Sequence, residues 1–213
     1  ADVDVTTFGP DAWREYLAGL LAGAFSVGGI SDPVAVDAVA WDKFADAGEL
    51  VTICDPNAAG GISFCMRGVA GQFTTGLSLG QPGGFTLAGR TSIGPLVRGR
   101  VMHRATAVSP VSSTGTGAGQ QLGAVSSLKS IYASLHVFFV DGSTPSLTVK
   151  IQSDDNSGFA TPVDRLTFAA KTAIGAEWVS SGPGAIADTW WRAQWTVSGS
   201  SPQFGFIVSF GAV

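Results

Sequence analysis

An all-β fold, an antiparallel β-sandwich or barrel with one short N-terminal helix, is predicted by three features of this chain. Charged residues are scarce, 28 of 213, or 13%, where a soluble domain usually carries about a quarter. Apolar residues make up 45% of the chain and glycines number 29, so the chain has much to bury and many places to turn. From Glu49 onward, apolar side chains recur at every second position in short runs separated by turn residues, the rhythm of half-buried strands.

The N-terminal helix is expected from Asp11 to about Leu21. There Trp13, Tyr16, Leu17, Leu20 and Leu21 recur at helical spacing after Pro10, which suits a helix start. A shorter piece, Trp41 to Ala47 closed by Gly48, adds one or two turns. Strand patterns then follow in ELVTIC, ISFCMRGV, FTTGLSLG and FTLAG, split by DPNAAGG and QPGG. In PLVRGRVMHRATAV, strict alternation sets Leu96, Arg98, Arg100, Met102 and Arg104 against Val97, Gly99, Val101, His103 and Ala105. One face of that strand is therefore expected to be basic. The small, polar run SSTGTGAGQQLG, residues 112–123, reads as a flexible loop. The chain is expected to be one domain, with this loop as the candidate boundary between lobes 1–111 and 124–213.

Beyond it the alternation is clearest. Ile131, Ala133, Leu135, Val137 and Phe139 share one face, as do Leu147, Val149 and Ile151, and DGSTP is expected to join the two runs as a hairpin. DRLTFAA is a further strand. Trp191, Ala193, Trp195 and Val197 lie on one side of TWWRAQWTVSG, and Phe204, Phe206, Val208 and Phe210 close the chain at strand spacing. Strands every ten or so residues with polar turns between them indicate an antiparallel sandwich.

The balance of 12 basic against 16 acidic residues, net charge −4, argues against a nucleic-acid clamp, which needs clustered Lys and Arg. Arg98, Arg100 and Arg104 are too sparse for that and are expected to point outward or to pair between subunits. The N-terminus lacks the basic and apolar regions of a secretion signal, and every apolar stretch is broken before the roughly 20 residues that span a bilayer. A cytosolic site of synthesis and no membrane partner are expected. With DPNAAGG as a turn, Cys54 and Cys65 fall out of register for a disulfide, whereas a longer loop would bring them together; a reduced, buried pair is expected. Two cysteines without a nearby histidine do not complete a zinc site.

Catalytic patterns are thin. Gly76-Leu77-Ser78-Leu79-Gly80 matches G-x-S-x-G, but Gln81-Pro82-Gly83-Gly84 follows where a helix would be required. His103 and His136 sit inside alternating strands, where packed imidazoles are commoner than general bases. Gly115 to Gly119 lacks the strand and helix of a nucleotide cradle. Asp154, Asp155 and Asn156 could offer oxygens to calcium, although a turn held by Asx hydrogen bonds is the simpler reading. No enzyme activity and no cofactor are expected. Trp190, beside Arg192, is the best outward-facing aromatic. It would serve as a subunit anchor or, with Trp41, as a platform for a glycan.

The run LHVFFVDGSTPSLTVKIQSDDNSGF, continued by DTWWRAQWTVSGSSPQFGFIVSFG, resembles virion structural proteins of tailed bacteriophages, especially tail-tube subunits. PLVRGRVMHRATAVSPVSSTGTGAGQQLGAV fits the same cast, so the resemblance covers roughly residues 95 to 213. It rests on strand cadence and carries no chemical signature. It implies a subunit that stacks in rings, commonly hexameric, in the virion tail. Its partners would be copies of itself and other tail proteins, and DNA would pass through without specific binding. Trp190, Arg192, Arg98, Arg100 and Arg104 are the candidate interface residues. Head-decoration and minor virion proteins share similar sandwiches, and a carbohydrate-binding module is the rival from another class.

Overall fold

The computed structural model describes residues 3–4, 16–17, 23–30, 46, 48–55, 57–76 and 83–213. The chain is all-β and antiparallel, and its residues group into two compact units: residues 1–49 with 66–96, and residues 50–65 with 97–213. The loop 112–123 lies inside the second unit. No helix among the described residues is long and apolar enough to cross a membrane.

Within the first unit, β1 (Val3–Asp4) pairs with β2 (Tyr16–Leu17). The helix expected over residues 11–21 lies outside the described residues except for Tyr16 and Leu17, which belong to β2. The piece expected over 41–47 is likewise undescribed apart from Asp46. β3 (Ala24–Ile30) runs antiparallel to residues 84–90. Gly89 is required there, because a Cβ on it would stand 2.2 Å from the Val69 carbonyl oxygen and 2.6 Å from the Phe25 ring.

Most of the second unit is built on two very long strands, β9 (Ile131–Asp154) and β12 (Trp190–Ala212). They pair along their whole length, from Ile131 opposite Ala212 to Asp154 opposite Trp190. The main sheet runs β10 (Val163–Thr167), β9, β12, β6 (Gly84–Arg104), β5 (Ile62–Gly76), β4 (Glu49–Asp55). On β9, β11 (Gly175–Ser181) flanks the first half and β10 the second. On β12, β7 (Gly115–Thr116) and β8 (Gln120–Gln121) flank the first half and β6 the second. The polar loop 112–123 is thus tied to a central strand by backbone pairing.

This two-stranded ribbon is folded across its middle. A straight strand from Trp191 to Phe210 would hold the two rings roughly 60 Å apart, yet they stack with centroids at 4.4 Å, and Trp195 meets Phe206 edge-on at 5.8 Å. Both pairs lie symmetrically about the segment Gly199-Ser200-Ser201-Pro202, where β12 bends. Opposite it, β9 bends at Gly142-Ser143-Thr144-Pro145. The two tetrads match in conformation as well as composition: φ is +109° at Gly142 and +118° at Gly199, and +49° at both Thr144 and Ser201. Each glycine sits against the other's tetrad. A Cβ on Gly142 would lie 2.6 Å from the Ser201 carbonyl oxygen, and one on Gly199 would lie 2.7 Å from that of Thr144.

The expected hairpin at DGSTP is therefore corrected. The chain does turn there, but the two halves of β9 pair with β12 and not with each other, so the turn passes between the two layers of a sandwich. Within the second unit one core is shared by the long strands: Leu135, Val137, Leu147, Val149, Ile151, Trp191, Ala193, Phe204, Phe206 and Val208 are all buried. Each such aliphatic or phenyl side chain contributes about 1.5–3 kcal/mol by leaving water. The alternation expected on β9 holds from Leu147 to Ile151 and from Ile131 up to Val137. There Phe138 is an extra residue, since Gly205 faces Phe139 while Phe206 faces Val137. That bulge takes Phe139 off the face it was expected to share.

Candidate functional site

A second bulge decides where the basic residues go. Ile207, Val208 and Ser209 of β12 face Arg104, His103 and Val101, so Met102 is inserted without a partner. Beyond it every side chain changes face. Arg98 and Arg100 remain on the side of Phe210, whereas Arg104 joins Ile207 and His136 on the other. The single basic face expected from the alternation is thereby split in two. Met102, expected on the arginine side, is fully buried.

Arg98 and Arg100 border a cavity of about 330 Å³ with Lys129, Leu122, Val125 and Phe210 among its walls. No Asp or Glu lines it. Arg100 donates through Nη1 to the Gly60 carbonyl (3.0 Å). The wall is held in shape by backbone pairing: Leu122 and Gly123 donate to Thr189, Val125 exchanges hydrogen bonds with Ile186, and Ser130 does so with Val213. The Gly123 carbonyl accepts the Trp191 indole N–H at 3.0 Å. Lys129 had no signal in the sequence, being a single cation at the end of a turn that only the fold brings beside β6.

Arg104 borders the other cavity, about 290 Å³, with Thr52, Cys54, Asn57, His136, Phe138 and Ile207. A run of hydrogen bonds leads inward from it. His136 Nε2 lies 3.0 Å from Thr52 Oγ1, Thr52 donates to Ser134 Oγ at 3.0 Å, and Ser134 donates to Cys65 Sγ at 3.3 Å. Both cysteines are free thiols. Burial pushes the Cys54 thiol up, and neighbouring Cys65 adds to this against weaker opposing effects of Ser209 and Arg104. Burial also raises Cys65. Burial lowers His136. His103 is packed at 4.0 Å from Trp195 and 5.2 Å from Phe206, and burial lowers its pKa as well.

The other interface candidates are engaged within the chain. Arg192 donates through Nε to Gln152 (2.9 Å) and lies 4.3 Å above the Phe159 ring. Gln152 donates to Asp164, which also binds Lys150 at 2.6 Å, giving a polar ladder across β12, β9 and β10. Trp190 is half-buried, with its backbone between Asp154 and Gln121, while Trp41 lies outside the described residues. The SDDNSGF turn takes the Asx form: Asp154 accepts from the backbone N–H groups of Asn156 and Thr161, and Asn156 accepts from Gly158. Those hydrogen bonds lower the Asp154 pKa against the effect of desolvation. Of the G-x-S-x-G segment only Gly76, the last residue of β5, is described.

Large aliphatic side chains are left in water on three loops. Val108 is 97% exposed, Leu128 89% and Ile174 68%. Comparison with known proteins adds no identity: no family model, no curated protein and no solved structure matches this chain.

Proposed function

We propose that this chain is a structural subunit of a bacteriophage virion, of the tail-tube kind, which assembles with copies of itself into stacked rings around a conduit for DNA. The observation that carries the reading is the exposure of Val108, Leu128 and Ile174, the most exposed large hydrophobic residues among those described. Covering each would contribute about 1.5–3 kcal/mol, and neighbouring copies are the cover that a ring supplies. The low charge of the chain supports extensive burial between subunits, and the resemblance of residues 95–213 supplies the class of assembly. Copies related head to tail in a ring need two different patches on each subunit, and loops on separate parts of the fold suit that requirement.

Negative-stain electron microscopy and sedimentation velocity across concentration test the proposal. Rings or tubes with a central channel are expected. Val108→Asp with Leu128→Asp should move the sedimenting material to single chains, since both side chains are free of the core. A concentration-independent monomer or trimer would overturn the tail-tube reading in favour of a decoration protein.

A further inference from the structure

We infer that the cavity between β6 and the loop 122–129 is a binding site for a small molecule carrying a phosphate group. Arg98, Arg100 and Lys129, three of the chain's 12 basic residues, converge on one concave surface that no carboxylate lines. Elsewhere in the second unit, Lys150, Arg165 and Lys171 are each matched with a carboxylate, Asp164, Asp188 and Glu177 respectively, while Arg192 donates to Gln152 and Arg104 borders the other cavity. Three cations thus stand together on a surface without a carboxylate, where a low-dielectric wall strengthens their field.

The register on β6 makes this specific. Arg98 and Arg100 are two residues apart on one side of the Met102 bulge and so share a face, while Lys129 approaches from the loop before β9. Two guanidinium groups and an ammonium can meet the several oxygens of a dianionic phosphate with charge-assisted hydrogen bonds. The cavity, about 330 Å³, exceeds what a free phosphate fills and falls in the range of small-molecule sites. Leu122, Val125 and Phe210 give it an apolar side for the body of the ligand.

The test uses the full chain and two probes, inorganic phosphate and a nucleoside monophosphate, titrated by calorimetry at constant ionic strength with chloride as the balancing anion. Both should bind, the nucleoside monophosphate more tightly because it also covers the apolar wall. Arg98→Ala and Lys129→Ala should each weaken binding by about tenfold or more, whereas Arg104→Ala, on the opposite face, should stay within about twofold of the parent. All three residues are exposed, and near-ultraviolet circular dichroism checks that each variant keeps its packed core. Phosphate binding no stronger than that of chloride, or an equal loss in Arg104→Ala, would overturn the assignment. A short single-stranded oligonucleotide binding more tightly per phosphate than the nucleoside monophosphate would overturn it too, in favour of a nucleic-acid strand as the occupant.

Discussion

Gly142 and Gly199 show how much of this fold rests on single atoms. Each has a φ that side-chain-bearing residues rarely adopt and a carbonyl oxygen where a Cβ would stand, so Gly142→Ala and Gly199→Ala should each destabilise by about 1–3 kcal/mol or more. Gly175→Ala, in open space on β11, should change stability by less than about 0.5 kcal/mol. Urea midpoints compare the three, and equal midpoints would refute the requirement for glycine at the bend. Acid sensitivity is also set by individual residues. Hydrogen bonds from Ser153 and Arg165 hold Asp188 below the ordinary value of 3.8, so its stabilisation is complete above 3.8 and is lost as pH falls from there through the folded-state value. Burial holds His103 and His136 below 6.5, so the unfolded chain takes up their protons first and stability declines as pH drops below 6.5. Urea titrations from pH 7 to 3 should show both losses, and Asp188→Asn should flatten only the acidic one. An unchanged acid slope in that variant would remove Asp188 from the account.

Among the elements, β6 is the clearest case of a pattern read correctly in kind and wrongly in register. Alternation marked a long strand with arginines outward, and Arg98 and Arg100 are indeed exposed. The inserted Met102 leaves no local trace, since a methionine suits either face of an alternating run; only the partner strand reveals that it has no opposite number. The same holds for Phe138 on β9. DGSTP carries the residues of a tight turn, and a turn was predicted. That its two sides pair with a distant GSSP segment is a long-range fact invisible to either tetrad alone. Deleting Met102 tests the bulge. Because Met102 has no partner, the deletion would leave Arg104 opposite Ile207 and the other pairs in place, and so should destabilise about as much as Met102→Ala, which costs about 2–5 kcal/mol by removing the same buried side chain. A deletion far worse than the alanine variant in its urea midpoint would show that the bulge itself, and not only its side chain, is required.

For the molecule as a whole, fold class and core were legible because they follow from period-2 burial, which every long strand repeats. Trp191, Ala193 and Trp195 read as one face of β12 and its phenylalanines as following at strand spacing, and all are buried. The two cavities were not legible, because each gathers residues from segments far apart in the chain: Lys129 with Arg98, and His136 with Thr52 and Cys54. Two expected helical segments fall largely among undescribed residues. Function stands differently from fold. Assembly is inferred from exposed side chains and from cadence, so microscopy and sedimentation bear on it directly, whereas the phosphate site can be tested on the subunit whether or not rings form.

The folded ribbon also sets an order of events during synthesis. β9 is complete by residue 154, yet its lengthwise partner does not begin until residue 190 and meets Ile131 only at residue 212. A nascent chain therefore carries a 24-residue strand with one apolar face out of the ribosome and one long edge unfilled, the kind of edge that invites pairing with other chains. Until β12 follows, solubility must come from outside the finished fold, and a chain interrupted before the second bend keeps the hazard and lacks Phe204, Phe206, Val208 and Phe210 of the core.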